Sequence, residues 1–196
     1  MKLKVLSLFL LLSATAFGQT SKFSVEAAYP IPVDNNFLGE NYQGIADLGL
    51  KYKIKNLEVI NIGVSVNGSM FTCNDTKFFP LADENLSFKT TLYMIQPRAF
   101  AELNLKKVTK IHPMVGIGYT ILQAKTTFDS QTEISDYNSS QSGLNFTIGL
   151  SYDVFTKFYV FGNYEYISLS NVDADVPKTT YNTKINLVKL GLGLRF

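Results

Sequence analysis

The sequence predicts an all-β fold: an antiparallel, up-and-down β-barrel of about eight strands that spans a membrane. Residues 187–196 alternate strictly, with an apolar side chain at every second position from Val188 to Phe196. Similar alternating segments recur along the chain, and the connections between them are short and long in turn. Because successive side chains of a strand point to opposite sides, each segment has one apolar face and one polar or empty face.

The N-terminal residues 1–18 are typical of a secretory signal peptide. Two lysines precede an apolar stretch, and Ala16 and Gly18 have the small-x-small spacing of a cleavage site. Cleavage would leave Gln19 as the first residue of a barrel domain, 19–196. The apolar stretch is too short for a membrane-spanning helix, which needs ~20 residues. A buried core helix is the alternative.

The composition of the remaining chain fits one ordered domain. Of the 18 basic and 16 acidic residues, two lysines lie in the leader, so the mature domain is near neutral and nucleic acid is not expected as a partner. The single cysteine, Cys73, excludes an intramolecular disulfide. The mean hydropathy of +0.07 does not discriminate, because alternating strands average out.

Eight alternating segments follow the leader, most of them as long as the ~9–11 residues of a tilted membrane strand. No helical periodicity of useful length accompanies them. The predicted strands are 22–29, 44–54, 58–70, 88–105, 111–125, 142–154, 158–170 and 187–196.

The connections favour an outer-membrane barrel over a Greek-key sandwich. Tight periplasmic turns that alternate with longer external loops, with both termini on the periplasmic side, are typical of such barrels. The short connections are 55–57, 106–110 and 155–157, and the long ones are 30–43, 71–87, 126–141 and 171–182.

Charge follows the same division between the connections. The long loops contain ten acids and two bases, whereas the short turns contain five lysines and no acid. Solvated loops are the preferred interpretation of the acids, and divalent-cation binding at a lipopolysaccharide surface is the alternative. The five turn lysines are Lys55, Lys106, Lys107, Lys110 and Lys157.

The polar face of the strands is predicted to point into a filled lumen. In lipid the outward face must be apolar and closure leaves no unpaired edge, while about eight strands enclose a space that side chains just fill. We expect a charge network centred on Arg98 and Glu102, with mutual compensation because an unpaired buried charge is costly. Scattered solvated charges on a soluble sheet are the alternative. The predicted network consists of Asp47, Lys51, Arg98, Glu102, Glu165, Lys189 and Arg195, and glycines 49, 63, 116, 118, 149, 191 and 193 are expected to make room for long charged groups.

Three motifs, together with the leader, resemble a known family. The terminal LGLGLRF at 190–196, QPR at 96–98 and PMVGIGY at 113–119 are similar to the small outer-membrane β-barrels of Gram-negative bacteria, of OmpA/OmpX-like and PorT-like type. The resemblance implies an outer-membrane location in contact with lipid and lipopolysaccharide. It also implies insertion by the barrel assembly machinery, with Phe196 as a recognition element. It implies no single activity, because a fold does not fix a function.

Catalysis is not expected from the residues available. Some barrels of this size act on lipid A with a histidine and a serine, but here the single His112 precedes Pro113 and no His-x-Ser arrangement occurs. No metal-ligand spacing surrounds Cys73, and phosphate-binding loops and nucleophile elbows are absent from the sequence. We therefore predict a protein that is not an enzyme and has no cofactor or metal.

Three functional hypotheses remain open. The first is a structural or surface-interaction barrel whose long loops contact envelope components, ligands or other cells. The second is a secretion or envelope-biogenesis component, as the PorT-like resemblance allows. The third is a soluble lipocalin-like carrier with an apolar interior. A small pore is disfavoured by the predicted filling of the lumen.

Overall fold

The computed structural model describes residues 22–79, 84–105, 108–129, 137–172 and 177–196. No helix within these ranges combines the length and the hydropathy that a membrane crossing requires. The predicted leader, 1–18, and its junction at Gln19 lie outside the described residues. So do Lys106, Lys107 and five of the loop acids, which are Asp83, Glu133, Asp136, Asp173 and Asp175.

Eight antiparallel strands, each hydrogen-bonded to the next along the chain, close into one barrel. Two short helices lie in the first and last long connections. This architecture confirms the predicted fold class and strand number. The elements are β1 (Phe23–Val33), α1 (Phe37–Asn41), β2 (Gln43–Asn56), β3 (Ile60–Phe79), β4 (Glu84–Leu103), β5 (Ile111–Asp129), β6 (Tyr137–Asp153), β7 (Phe158–Asn171), α2 (Thr180–Thr183) and β8 (Lys184–Arg195).

Closure depends on the ladder between the first and last strands. It runs from the pair Ser24 and Arg195 to the pair Val33 and Asn186. Below the extensions of β3 to β6 the strands therefore form a closed hydrogen-bonded ring, as a hydrocarbon environment demands. We call the end with the three short connections the turn end, and the end with the long connections the loop end.

The strands on one side of the barrel extend far beyond the predicted limits at the loop end. β3 and β4 have 20 residues each, β5 has 19 and β6 has 17, whereas β1 has 11 and β8 has 12. Much of the predicted loops 71–87 and 126–141 is therefore strand. Alternation could not reveal these extensions, because a sheet with water on both sides does not need an apolar face. We call residues 73–79, 84–90, 126–129 and 137–141 the protruding sheet.

The outward face carries a continuous apolar band below the protruding sheet. On β4 the outward side chains are apolar from Tyr93 to Leu103, and Lys89 lies exposed beyond Tyr93. Those eleven residues, tilted by ~40°, span roughly 26 Å along the membrane normal, close to the ~25 Å apolar band of outer-membrane barrels. The predicted division of β4 into two faces is confirmed, because Gln96, Arg98 and Glu102 are buried inside.

Inward glycines admit large side chains, although the neighbour is often not charged. A Cβ atom on Gly118 would collide with the Arg98 side chain, which agrees with the predicted role. On Gly63 it would collide with the Phe100 ring, and on Gly193 with the Tyr159 ring. At these two positions the missing side chain makes room for an aromatic ring rather than for a charge.

The substitution Gly193→Ala should therefore destabilise the barrel. The added methyl would displace Tyr159, whose hydroxyl donates to Glu26 and whose ring lies under Arg195. Overpacking of this kind costs about 1–3 kcal/mol. Urea unfolding in detergent micelles measures the change. The control is Gly68→Ala, because nothing lies within 4 Å of that Cβ position, and it should stay within about 0.5 kcal/mol of the parent chain. Equal stability of the two variants would contradict the packing argument.

Candidate functional site

A network of four charged side chains crosses the middle of the lumen. The Lys189 ammonium lies 2.6 Å from Asp47 Oδ2 and 3.2 Å from Glu165 Oε2. The Arg98 guanidinium lies 2.7 Å from Glu165 Oε1. Lys189 and Arg98 also donate to one acceptor, Gln96 Oε1, at 2.8 and 3.0 Å. Two cations and two carboxylates thus neutralise one another in the centre of the barrel.

Uncharged polar side chains complete the coordination of this central network. Ser69 and Asn67 of β3 donate to the Asp47 carboxylate. Arg98 donates to Thr147 Oγ1 of β6 at 2.9 Å, and Gln96 donates to Thr120 Oγ1 of β5 at 3.2 Å. Together with Glu165 on β7 and Lys189 on β8, the network joins seven of the eight strands. Its hydrogen bonds and ion pairs therefore connect strands on opposite sides of the lumen.

The remaining predicted site residues, Lys51, Glu102 and Arg195, lie outside the central network and nearer the turn end. Lys51 pairs with Glu26 at 2.7 Å, and its ammonium lies 5.7 Å from the centre of the Phe100 ring and 5.6 Å from that of Phe161. The Tyr159 hydroxyl donates to Glu26 Oε1 at 2.8 Å. Polar and aromatic groups share this part of the lumen.

The predicted mutual compensation of Arg98 and Glu102 is wrong. Arg98 pairs with Glu165, whereas Glu102 accepts a hydrogen bond from Lys53 at 2.6 Å and another from Asn61. Four residues along one strand separate positions 98 and 102 by roughly 13 Å. Each side chain instead reaches a partner on another strand.

The third cluster contains Arg195 and the only histidine of the chain. Arg195 Nη1 contacts Asp153 Oδ1 at 2.5 Å, and His112 Nε2 lies 3.0 Å from Asp153 Oδ2. The Arg195 guanidinium also covers the Tyr159 ring, 4.3 Å from its centre. His112 is therefore part of an ion-paired cluster.

Several members of these clusters are not among the predicted site residues. Glu26 is almost fully buried, although the alternation of β1 already placed it opposite Val25 and Ala27. Lys53 pairs with Glu102 and Asp153 pairs with Arg195, while His112 contacts Asp153. Strand alternation could assign them to the inward face, but it could not tell which residues meet across the lumen.

An apolar cluster fills the lumen at the loop end. It is not among the features predicted from the sequence. Leu38 of α1 is fully buried in a cluster with side chains from the loop-end parts of five strands, β3, β4, β5, β7 and β8. Asn36 caps α1 by accepting hydrogen bonds from the backbone N–H groups of Leu38 and Gly39, which fixes the direction of Leu38. A sequence signal existed, because runs such as 92–95 are apolar at consecutive positions. This loop-end plug comprises Leu38, Phe71, Leu92, Met94, Leu122, Ile167, Leu169, Val172, Ile185 and Leu187.

Tyr42 closes one side of the plug beside α1. Its ring meets that of Phe37 edge-on, with 6.3 Å between the ring centres. Burial raises the pKa of the Tyr42 phenol above its ordinary value, so the hydroxyl stays protonated.

Phe196, the predicted assembly signal, lies at the turn end beside the closing ladder. Its backbone N–H donates to Phe23 O at 2.8 Å, and the two rings lie 6.4 Å apart. The side chain is exposed on the lipid side. Among the described residues, no group of three histidine, cysteine or acidic side chains is placed to bind a metal ion.

Comparison with known proteins agrees with this geometry. A family model described as an outer membrane protein beta-barrel domain matches residues 5–196. The chain belongs to this family. Its location is therefore the outer membrane, where the apolar band contacts lipid. The alternative of a soluble lipocalin-like carrier is wrong, since ion pairs occupy the middle of the lumen and a continuous apolar band covers the outer face of the barrel.

Solved structures of outer-membrane proteins share the fold at low sequence identity. Ail of Yersinia pestis, in complex with the heparin analogue sucrose octasulfate, has a TM-score of 0.57 at 19% identity over 90% of this chain and 97% of Ail. A major outer membrane protein from Thermus thermophilus has a TM-score of 0.60 at 14% identity, covering 91% of this chain and 100% of the other. Neisserial surface protein A has a TM-score of 0.51 at 18% identity, over 89% of this chain and 96% of the other. None of the curated proteins compared with the chain matches it.

Removal of the Lys189 ammonium should lower the free energy of unfolding. The size of the decrease should depend on whether Asp47 keeps its charge. Lys189→Met leaves Asp47 and Glu165 facing a single cation, and removing one member of a buried pair costs about 3–5 kcal/mol. Adding Asp47→Asn restores neutrality, so the double variant should be more stable than the sum of the single changes predicts, by about 1–3 kcal/mol. Urea unfolding in micelles, followed by circular dichroism, measures all four chains.

Lys53, which belongs to a different ion pair, provides the control for this double-mutant cycle of Asp47 and Lys189. Lys53 pairs with Glu102, and no contact described above joins it to Asp47. The changes Asp47→Asn and Lys53→Met should therefore add within about 0.5 kcal/mol. Additivity in the Asp47 and Lys189 cycle as well would refute the central network as a coupled unit.

Proposed function

We propose that this outer-membrane barrel works at the cell surface through its protruding sheet, with a lumen that carries no solute. The observation that carries the proposal is the extension of β3–β6 beyond the other strands. Because long loops of such barrels face outward, the loop end is placed outside the cell. The filled interior supports the same conclusion, since the loop-end plug and the central network occupy successive levels of the lumen.

The protruding sheet has two edges on which the described strands offer no partner. Pairing between β2 and β3 reaches Gln43 and Thr72 and extends no further along β3. Pairing between β6 and β7 begins at Ser142 and Asn171, which leaves residues 137–141 without a strand on that side. An exposed edge presents a row of backbone donors and acceptors. Strand addition by an extended peptide is therefore the binding mode that this geometry favours.

The charge of the long connections indicates which partners fit. The long connections predicted from the sequence contain ten acids and two bases, which favours a neutral or basic peptide over a polyanion. Ail was solved with a heparin analogue. We expect this chain to differ from Ail in that respect, because a sulfated ligand would meet carboxylates here.

Two further partners follow from the position in the envelope. Lipopolysaccharide would surround the loop end, where the outward side chains become polar above Tyr93. The barrel assembly machinery would recognise Phe196, whose exposed ring lies next to the strand that closes the barrel. The leader, with cleavage after Gly18, would direct the chain to that machinery.

The purified barrel should not conduct ions in a planar lipid bilayer. A conducting path would have to pass both the loop-end plug and the central network. Single-channel recording at 1 M KCl should show no steps, with a porin in the same bilayer as the positive control. Regular conductance steps would refute the closed lumen and favour a pore.

Shortening one hairpin should remove surface binding and leave the barrel intact. Cys73 and Thr90 lie directly opposite one another, so an Asn-Gly turn that replaces residues 74–89 can close β3 and β4 as a two-residue hairpin. We expect an unchanged mobility shift between boiled and unboiled samples. A photo-cross-linking amino acid at position 74 of the full-length chain should give protein adducts in intact cells, whereas the same group at Ile148 on the lipid face should not.

A deletion strain separates this function from a role in secretion. If the hairpin-shortened chain restores secretion that is lost on deletion, and position 74 gives no adducts, the barrel is a secretion or biogenesis component and the proposal is wrong. Adducts at position 74 with normal secretion in the deletion strain support it.

A further inference from the structure

The apolar band ends differently at the two ends of the barrel. At the loop end it gives way to polar residues such as Lys89 and Lys125 while the strands continue. At the turn end exposed apolar side chains, among them Leu57, Val59 and Phe155, continue into the described parts of the short connections. A band that begins at Tyr93 and is ~26 Å high along the membrane normal ends at Leu103, the last residue of β4. The short turns therefore lie at the level of the lipid headgroups.

The turns expose more apolar surface than ordinary water-facing turns need. Phe155 is 70% exposed, and Val59 and Val108 are 55% and 45% exposed. These side chains stand on hydrogen-bonded backbone, since the Phe155 N–H donates to Phe158 O at 3.0 Å and the Asn104 N–H donates to Val59 O at 2.8 Å. Apolar groups fixed in this way match the boundary between headgroups and acyl chains.

Exposed lysines accompany these apolar side chains. Lys55, Lys110 and Lys157 lie in or beside the three turns, and Lys22 enters the barrel at the same end. Glu58 is the one acid in the turns, whose described residues are 57–59, 104–105, 108–110 and 154–157. Its position departs from the predicted acid-free turns, because β3 begins at Ile60 instead of residue 58. Cations that outnumber acids at this level attract anionic headgroups.

We propose that the turn end is a docking surface for anionic phospholipid headgroups of the periplasmic leaflet. Phe155, Val59 and Val108 enter the headgroup region, and Lys55, Lys110 and Lys157 select negatively charged lipids there. We call these residues the turn collar. The proposal depends on the membrane-spanning band and is independent of the function proposed for the protruding sheet.

The absence of tryptophan from the chain allows a direct test of the turn collar. Phe155→Trp places a single indole at the most exposed ring of the turns. The variant is reconstituted in equimolar phosphatidylglycerol and phosphatidylcholine, with bromine on one lipid in one preparation and on the other lipid in a second. We expect a blue-shifted emission and at least twofold stronger quenching by brominated phosphatidylglycerol. Ile148→Trp, on the exposed middle of the band, should be quenched almost equally by both lipids.

Charge variants test the selection of lipids separately. In the Phe155→Trp chain, Lys55→Gln, Lys110→Gln and Lys157→Gln together should bring the quenching ratio close to one, and the three arginine replacements should retain it. Lys89→Gln with Lys125→Gln is the matched control at the other end and should also retain it. Salt at 1 M, where the Debye length is ~3 Å, should lower the ratio in the lysine chain without any charge substitution. Emission typical of indole in water, or equal quenching by the two lipids, would overturn the proposal.

Discussion

The structure depends on the need to satisfy every backbone hydrogen bond in a medium without water. A strand in lipid can meet that need only in a closed sheet, and the ladder between β1 and β8 supplies the closure. The closed sheet in lipid then determines on which side each side chain lies. Alternating side chains must be apolar outside, so the polar half of each strand is confined to a narrow lumen. The lumen thus has a charged middle, and the apolar loop-end plug lies between that middle and the outside.

The charged side chains of the lumen are compensated by partners close by. In the centre, Arg98 and Lys189 face Asp47 and Glu165, and the polar neighbours take up further hydrogen bonds. Nearer the turn end, Lys53 pairs with Glu102, and Arg195 pairs with Asp153. A buried pair of this kind mainly penalises any arrangement that separates it. The ion pairs therefore contribute more to strand register than to net stability.

The sequence was sufficient for the fold but not for the pairing inside it. Period-two alternation located all eight strands, because lipid on one side makes the two faces chemically different. Beyond Tyr93 water lies on both sides of the sheet, so alternation does not mark the strands there and predicts loops for most of the protruding sheet. It also fails for contacts across the lumen. Alternation places Arg98 and Glu102 on one face, but the shear of the barrel decides that they pair with Glu165 and Lys53.

The two ends of the barrel are linked through the position of the band. The 20 residues of β4 rise roughly 50 Å along the normal, and the band accounts for roughly 26 Å of that height. About half of β4 must therefore stand in water at the loop end, provided that the turn end stays at the headgroups. Lysines at the turns oppose movement of the turn end into the hydrocarbon, and the apolar side chains there oppose its movement into the periplasmic water. The height at which the protruding sheet meets its partners is thus set on the opposite side of the membrane.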